Sequence, residues 1–354
     1  MSTKLSARRA HLLPLAVLLA AASLPSLASA QAARARSESD SVRLTEWDVP
    51  WERTRPRDPA VGADGQIWFV GQVGNYVARL DPTSGKFTRF EIDPGTNPHT
   101  VNVDKDGHAW YAGNANGTIG RIDGKTGAIT RYQMPDSAAR DPHTIAFDKS
   151  GNLWFTLQNS NMIGLLDKST GKTKLVKMGT NGSRPYGIVV DTKGRPWFNL
   201  FGTNTIGTID PISMRVREYP LPHERARGRR IALTTDGAVW YVDYSRGFLG
   251  RLDPVSGAVR EWAMPGGASA LPYAMTVDDN DRLWFVETGR KPNRLVGFDP
   301  TDQKFFGATD IGPAEANTVR HMVYDKKTRS IWFGTDRGTI GRAVVPKGKP
   351  SPIG

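Results

Sequence analysis

The sequence predicts an all-β fold, a seven-bladed β-propeller in which each blade is a four-stranded antiparallel sheet. Three observations predict it. A pair of aromatic residues recurs seven times at intervals of forty-odd residues, four short strand patterns surround each pair, and a segment near the amino terminus matches the strand that the seventh copy lacks. Repeats of this length without helical periodicity are typical of propeller blades packed around an axis.

The aromatic pair marks the phase of the repeat. Successive tryptophans of the pair are separated by 42, 44, 43, 43, 44 and 48 residues. Seven of the ten tryptophans in the chain belong to it, and we expect their rings to fill the space between adjacent sheets. The seven pairs are Trp68-Phe69, Trp110-Tyr111, Trp154-Phe155, Trp197-Phe198, Trp240-Tyr241, Trp284-Phe285 and Trp332-Phe333.

The four strands of one blade are clearest in residues 97–135. A buried run, HTVNVD, is followed by the hairpin turn Asp106-Gly107 and by the aromatic strand HAWYAG. A third strand, TIGRID, leads through a second glycine turn into the fourth strand, AITRYQM. Turns that contain Asp-Gly or a similar pair between such runs indicate β-hairpins.

The two ends of the chain predict how the ring closes. The seventh copy has its first three strands and then runs into residues 347–350, Lys-Gly-Lys-Pro, without a fourth. Residues 43–50, RLTEWDVP, match the fourth-strand endings at 216–222 and 259–265. The amino-terminal strand should therefore complete the last blade, which leaves no open edge and makes a monomer sufficient.

The first thirty residues have the features of a secretory signal peptide. Lys4, Arg8 and Arg9 precede an apolar run over residues 12–22, and residues 28–30, Ala-Ser-Ala, form a small-residue cleavage site. The apolar run is shorter than a membrane-spanning helix, and no later run is longer. We expect an exported protein, periplasmic or secreted after cleavage near Ala30, with no membrane span.

These features divide the chain into four parts. Residues 1–30 are the predicted signal peptide, 31–42 a flexible mature amino terminus, 43–346 the propeller and 347–354 a carboxy-terminal tail.

The composition limits the chemistry that the protein can use. The formal charge is +12, and three of the positive charges lie in the predicted signal peptide, which leaves a basic mature protein. We interpret this charge, and the basic segment 225–230, as a solvated surface rather than a nucleic-acid site. The chain contains no cysteine, which excludes disulfides, thiolate zinc sites and thiol nucleophiles.

Histidines concentrate at one position of the repeat, which we place just before the first strand of each blade, at the rim of the central channel. Three of the six histidines of the chain occupy this predicted rim position. Because histidine can transfer protons near neutral pH, the mouth of the channel is the predicted place for acid–base chemistry, although a copied strand-entry motif would give the same pattern. The predicted rim residues are Ala60, His99, His143, Tyr186, Arg230, Tyr273 and His321.

A second predicted ring follows the aromatic pair, where the second strand ends near the same face. Its acidic members lie only in the last three blades, beside His321. Carboxylates in such an arrangement can hold Mg²⁺ or act as bases, or they can offset nearby arginines. The ring comprises Gln72, Asn114, Gln158, Asp243, Glu287 and Asp336.

The repeated phrases PHTI, LWFT and NMIGLLD within residues 142–167, which recur with changes in every blade, resemble those of the streptogramin lyase family. The resemblance covers nearly the whole predicted mature chain. It implies a magnesium-dependent elimination that opens the ester of a cyclic depsipeptide without adding water. Such a reaction needs a base for the proton alpha to a carbonyl and a cation for the developing enolate.

The resemblance also implies roles for individual residues. The family has a Glu-Pro-His segment in its last blade, with which we match residues 319–321, so that His321 is the predicted base. Asp336 and Glu287 are the predicted metal ligands. Tyr273, at the place of a rim histidine of the family, is the predicted proton donor or substrate contact, and the remaining predicted substrate contacts are His99, His143, Tyr186, Arg230 and Asp243.

Two alternatives stay open. One is a non-catalytic exported propeller that binds a peptide, a glycan or another envelope component at the rim. The other is a metal-dependent lactonase of the gluconolactonase type, which requires a buried Glu/Asn/Asp metal set at the axis.

Overall fold

The computed structural model describes residues 42–313, 317–348 and 352–353. The predicted signal peptide and residues 31–41 lie outside the described residues. The described chain forms seven four-stranded antiparallel sheets arranged as a β-propeller. The innermost strands of neighbouring sheets contact one another in cyclic order, which closes the ring and confirms the predicted fold.

Each blade contributes one strand to each of four layers, counted outward from the axis. The inner strands are β2 (Pro56–Val61), β6 (Pro98–Val103), β10 (Pro142–Phe147), β14 (Pro185–Val190), β18 (Gly228–Leu233), β22 (Pro272–Val277) and β26 (Val319–Asp325). The aromatic strands are β3 (Ile67–Gly71), β7 (Ala109–Gly113), β11 (Leu153–Leu157), β15 (Pro196–Leu200), β19 (Val239–Asp243), β23 (Leu283–Glu287) and β27 (Ser330–Thr335).

The two outer layers follow the same order around the ring. The third strands are β4 (Tyr76–Leu80), β8 (Thr118–Ile122), β12 (Met162–Leu166), β16 (Thr205–Ile209), β20 (Phe248–Leu252), β24 (Asn293–Asp299) and β28 (Thr339–Val344). The outermost strands are β5 (Phe87–Glu91), β9 (Ile129–Gln133), β13 (Thr173–Lys177), β17 (Val216–Pro220), β21 (Val259–Ala263), β25 (Lys304–Ile311) and, from the amino terminus, β1 (Arg43–Asp48). A short 3-10 helix, Gly267–Ser269, precedes β22.

The amino-terminal strand closes the seventh blade, as the sequence predicts. Strand β1 pairs with β28 in antiparallel register from Arg43 opposite Val344 to Asp48 opposite Thr339. The ring of Trp47 stacks on Trp332, the tryptophan of the seventh aromatic pair, with 5.5 Å between ring centroids. Both ends of the described propeller therefore belong to one blade.

The aromatic pairs form the core between blades, which confirms their predicted structural role. Trp110 of one blade and Phe155 of the next belong to the same buried cluster, together with Ile145 of the inner strand of that second blade. A glycine of the third strand makes room for the second aromatic ring, because a β-carbon at Gly164 would lie 2.1 Å from the ring of Phe155. Side-chain burial on both faces of each aromatic strand thus joins neighbouring sheets.

The carboxy-terminal residues are attached to the sixth blade. Arg282 donates hydrogen bonds to the carbonyl oxygens of Pro346 and Gly348, at 3.1 and 2.8 Å. Further on, the backbone N–H of Ile353 donates to the carbonyl of Phe305 at 2.9 Å. Among the described residues, no helix is long and apolar enough to cross a membrane.

The inner strands share one backbone register, and this register corrects the predicted rim position in three blades. The first residue pairs with the end of the aromatic strand, as Pro98 does with Gly113, and the pairing then shifts before the fourth residue. By this register the second residues are Arg57, His99, His143, Tyr186, Arg229, Tyr273 and Arg320, and the third residues are Asp58, Thr100, Thr144, Gly187, Arg230, Ala274 and His321.

The predicted ring was therefore wrong at Ala60, Arg230 and His321. Ala60 is the fifth residue of its strand, opposite Trp68, and Arg57 takes the rim position instead. Arg230 and His321 are third residues, one place further into the channel than the histidines at 99 and 143. The strand-entry proline that marks the frame elsewhere is replaced by a glycine in blade five and by a valine in blade seven.

Candidate functional site

The central channel is blocked by an axial belt of buried polar side chains, which we define as Arg57, Asp58, His99, His143, Tyr186, Arg230 and Tyr273. Each is at most 5% exposed to solvent. Burial of so many polar groups is costly unless they bind one another, and the belt is held together by hydrogen bonds and ion pairs between blades.

Asp58 is the anionic centre of the axial belt. It accepts hydrogen bonds from Arg230 and from the hydroxyl of Thr100, both at 2.9 Å, and its second oxygen lies 3.3 Å from Nε of Arg57. Burial alone would raise the pKa of Asp58, but the guanidinium groups of Arg230 and Arg57 outweigh it and hold that pKa far below its usual range. The backbone of Asp58 has a φ of 46°, so this strained residue is fixed by its partners.

Two neutral histidines continue the axial belt. The rings of His99 and His143 lie 3.5 Å apart between centroids, and each Nδ1 forms a hydrogen bond with the hydroxyl of the following threonine. Burial, reinforced by the charges of Arg57 and Arg230, lowers the pKa of both histidines well below its ordinary value. Both of these predicted substrate contacts therefore lie inside the belt and carry no charge near neutral pH.

The two tyrosines of the axial belt face each other across the channel. The hydroxyls of Tyr186 and Tyr273 are joined by a hydrogen bond. Burial raises the pKa of Tyr186. Burial acts in the same direction on Tyr273, but the charges of Arg229, Arg57 and Arg230 outweigh it and lower the pKa of Tyr273 to about 8. Tyr273 is thus the acidic phenol of the pair.

Above the belt, where the inner strands begin, lies a basic and aromatic surface that we call the mouth: Arg55, Phe201, Arg229, Tyr244, Arg320 and Asp336. The guanidinium carbon of Arg229 lies 3.8 Å from the ring centre of Tyr273 and 4.1 Å from that of Tyr244. Arg320 lies 5.7 Å from the same Tyr273 ring, so two guanidinium groups cover the phenol.

The predicted metal ligand Asp336 is held by arginines at the mouth. Its two oxygens accept hydrogen bonds from Arg320 at 2.6 and 3.1 Å, and one of them lies 3.4 Å from Nε of Arg55. A bidentate pair of this kind leaves little of the carboxylate free for another cation.

The other two predicted acids are buried and do not join Asp336. Glu287 is fully buried and bound by Arg294 at 2.6 Å and by the backbone N–H of Gly266 at 2.7 Å. Asp243 is also fully buried and pairs with Arg246 at 3.1 Å. Asp243 and Glu287 are the last residues of their aromatic strands, the position that Thr335 holds in blade seven. Asp336 comes one residue later, so the three acids do not form one ring.

These pairings leave no ligand set that fits a magnesium ion. The described part of the chain contains no group of three histidine, aspartate or glutamate side chains that could hold a metal. The three acidic residues of the predicted second ring each pair with an arginine instead. The lactonase alternative, which depends on a carboxylate metal set at the axis, receives no support from this arrangement.

His321, the predicted base, faces away from the mouth. It lines a cavity of about 790 Å³ at the other end of the channel, where the inner strands finish among Val61, Val103 and Val323. Burial and the charge of Arg230 lower the pKa of His321 to about 4, and its Nδ1 has no hydrogen-bond partner in the described structure. The predicted pair of His321 and Asp336 is therefore divided between the two ends of the channel.

Four charged residues at the axis and the mouth were absent from the predicted rim. Arg57 and Asp58 fill the axis, whereas Arg229 and Arg320 cover Tyr273. The basic segment 225–230 was interpreted as a solvated loop, but its last two arginines belong to β18 and point into the channel and the mouth. Exact alignment of the second residue of every inner strand would have identified Arg57, Arg229 and Arg320, and Asp58 is the third residue of the first of these strands.

The buried histidines predict acid sensitivity. The pKa values of His99, His143 and His321 are all lowered, so the unfolded chain binds protons that the folded chain refuses once the pH falls below about 6.5. Their contribution to stability is present above that pH and is lost on acidification, at up to about 1.4 kcal/mol per histidine and pH unit.

Urea denaturation between pH 7.5 and 4.5 measures this loss. We expect His143→Gln to flatten the pH dependence relative to the parent chain, whereas the same change at His223, a half-buried loop residue, leaves it as steep. Equal slopes for the parent chain and His143→Gln would contradict a neutral buried His143.

The chain matches one known protein family and several solved structures of similar fold. The profile described as the Virginiamycin B lyase family matches residues 42–343. The chain belongs to that family. A solved structure described as a streptogramin B lyase is 27% identical, with a TM-score of 0.77, over 85% of this chain and 97% of that one. Virginiamycin B lyase from Staphylococcus aureus is 26% identical, with a TM-score of 0.78, over 86% and 99%.

A further solved structure contains a ligand. It is a catalytically inactive histidine-to-alanine variant of the Staphylococcus aureus virginiamycin B lyase with quinupristin, again 26% identical with a TM-score of 0.78 and coverage of 86% and 99%. A search of curated sequences gave no significant match.

Proposed function

We propose that this family member is an exported lyase that opens an ester by elimination at the mouth, with Tyr273 as the general base. The observation that carries the proposal is the phenol of Tyr273, whose pKa of about 8 results from surrounding guanidinium groups that outweigh its burial. A base that loses its proton near the working pH is suited to proton abstraction. The predicted signal peptide supports a site of action outside the cytoplasm.

The register of this chain argues against His321 as the base. In Asn97-Pro98-His99 the proline is the first residue of the inner strand and the histidine the second. A Glu-Pro-His segment in the same register would place its histidine at Arg320 in blade seven. By this register a cation, Arg320, would stand where the resemblance implies the base, and Tyr273 is the neighbouring rim residue that we propose accepts the proton.

The reaction needs positive charge where the enolate develops. The phenolate of Tyr273 would take the proton alpha to the carbonyl, the electrons of the broken C–H bond would form the C=C bond, and the C–O bond of the ester would break to release a carboxylate. Arg229 and Arg320, which both lie over Tyr273, are placed to stabilise the negative charge of that enolate. We assign no step to magnesium, since the described carboxylates do not form a site that fits it.

Cyclic depsipeptides of the streptogramin B type are the first substrates to test, because an inactive variant of a relative holds quinupristin. The assay is mass spectrometry of virginiamycin B and of quinupristin after incubation with the protein. Elimination gives a linear product of unchanged mass, whereas hydrolysis adds the mass of one water molecule.

We expect Tyr273→Phe to lower the rate of linearisation by about 10²- to 10⁴-fold, because it removes the base while keeping the ring under Arg229. Tyr324→Phe, a change at the opposite end of the channel, is the matched control and should leave the rate unchanged. His321→Ala tests the base predicted from the sequence. Full activity of Tyr273→Phe together with loss in His321→Ala would transfer the role to His321.

A second candidate function is binding without turnover. Tyr273 is only 2% exposed, because Arg229 and Arg320 lie over it, so a substrate must move at least one of them to reach the hydroxyl. Tight binding of the intact cyclic peptide, with no linear product after prolonged incubation, would favour this candidate.

A further inference from the structure

We infer that the ligand of the mouth carries a carboxylate group, which Arg229 and Arg184 bind beside the aromatic side chains of Phe201 and Tyr244. The inference rests on the proposed function only for the location of the ligand. It adds a carboxylate to the chemistry of that ligand, so that an ester or depsipeptide with a free carboxylate is preferred to a neutral one.

The guanidinium groups of Arg229 and Arg184 both approach the ring of Phe201. The guanidinium carbon of Arg229 lies 5.0 Å from the ring centre of Phe201, and that of Arg184 lies 5.9 Å from the same ring. Arg184 is exposed and Arg229 is half-buried. In the described part of the chain, neither has a carboxylate within ion-pair distance, whereas Arg320 and Arg55 share Asp336.

Arg229 also has an unused donor. Its Nε is buried and has no hydrogen-bond partner, although aromatic rings surround the guanidinium group. Arg57 lies below in the axial belt, and the residue is 5% exposed. Its Nη2 atom is buried and likewise has no hydrogen-bond partner. Unpartnered guanidinium donors of this kind are costly unless a ligand or water accepts from them.

The charges of the mouth, of the axial belt and of Arg184, which lies beside Phe201 at the mouth, do not balance. Six guanidinium groups, those of Arg55, Arg57, Arg184, Arg229, Arg230 and Arg320, face two carboxylates, those of Asp58 and Asp336, which leaves a surplus of four positive charges. Like charges this close repel one another, and an anion at the mouth lowers that repulsion.

A planar carboxylate suits this surface better than a compact anion. The fork of a guanidinium group binds a carboxylate through two parallel hydrogen bonds. The half-buried rings of Phe201 and Tyr244 stand beside the two arginines and can pack against an apolar or ring-shaped body attached to it. A carboxylate on the carbon that loses its proton would also be neutralised there, which favours elimination.

Benzoate and benzamide test the inference as a matched pair, because they share a shape and differ in charge. Isothermal titration calorimetry should give a dissociation constant for benzoate at least about tenfold lower than for benzamide. Arg229→Gln and Arg184→Gln should each weaken benzoate binding by about tenfold or more. Arg225→Gln, which removes one charge from an exposed residue of the same segment, is the control and should have no effect.

Three results would overturn the inference: equal affinity for benzoate and benzamide, inorganic phosphate binding more tightly than benzoate, or equal weakening by Arg225→Gln. Arg184 is exposed, so its variant remains informative if Arg229→Gln fails to fold. Benzoate binding by a parent chain that linearises no depsipeptide would support the inference while contradicting the proposed elimination.

Discussion

A chain that begins at residue 49 will be far less stable than one that begins at Gln31. The shorter chain lacks β1, whose six residues pair with β28 and complete blade seven. It also loses the packing of Val42 and Leu44 against the core between blades six and seven, and the stack of Trp47 on Trp332. Burial of these three side chains accounts for about 5 kcal/mol or more of the free energy of unfolding.

Thermal and urea denaturation of the two chains measure the effect, and analytical ultracentrifugation reports whether the exposed edge of β28 causes association. Trp47→Ala in the longer chain separates the stacking contribution from the strand pairing and should cause a smaller loss. Equal unfolding midpoints for the two truncations would show that the ring does not depend on its amino-terminal strand.

The second large effect is expected at Asp58. Asp58→Asn keeps the shape of the side chain but leaves the charges of Arg57 and Arg230 buried without their counter-ion. Removal of one partner from a buried ion pair costs about 3–5 kcal/mol. Asp64→Asn, a change at an exposed carboxylate of the same blade, is the matched control and should have little effect.

The pH dependence of this difference follows from the lowered pKa of Asp58. A carboxylate whose pKa is lower in the folded state stabilises the protein above about pH 3.9, and the contribution is lost as the pH falls below that value. The gap in unfolding free energy between Asp58→Asn and the parent chain should therefore be smaller at pH 3 than at pH 7, by about 1 kcal/mol. A gap that is constant between these pH values would contradict a lowered pKa of Asp58 in the folded protein.

The fold could be predicted from the sequence because its signals are local and repeated. Each Trp-Phe or Trp-Tyr pair reports burial on both faces of one strand, and the glycine turns separate the strands. The match between residues 43–50 and the other fourth strands was sufficient to predict ring closure. Nothing in this part of the prediction required knowledge of which side chains meet across the axis.

The candidate site depends on register to a single residue, and there the sequence was ambiguous. Blade one contains both Pro56-Arg57 and Pro59-Ala60, and the second of these was taken as the strand entry. In blade seven the landmark proline is absent, so His321 was placed where Arg320 belongs. A shift of one residue along a strand moves a side chain to another environment, as the position of His321 below the axial belt demonstrates.

The pairing of the acids could not be predicted for a different reason. Glu287 is neutralised by Arg294 from the neighbouring strand, whereas Asp336 is neutralised by Arg320 from the inner strand of its own blade and by Arg55 from the linker that precedes blade one. Nearby arginines were recognised as an alternative to metal binding, but sequence distance does not reveal which cation a carboxylate reaches.

The axial belt makes the seven blades non-interchangeable, although their backbones repeat one pattern. An idealised ring assembled from seven copies of blade two would gather seven histidines and seven threonines at the axis, with no aspartate and no arginine. Seven copies of blade one would instead gather seven Arg-Asp pairs. Either symmetric protein would keep the core between blades. It would lose the single buried aspartate that binds arginines from blades one and five. The sevenfold repeat therefore does not extend to the side chains of the second and third residues of the inner strands.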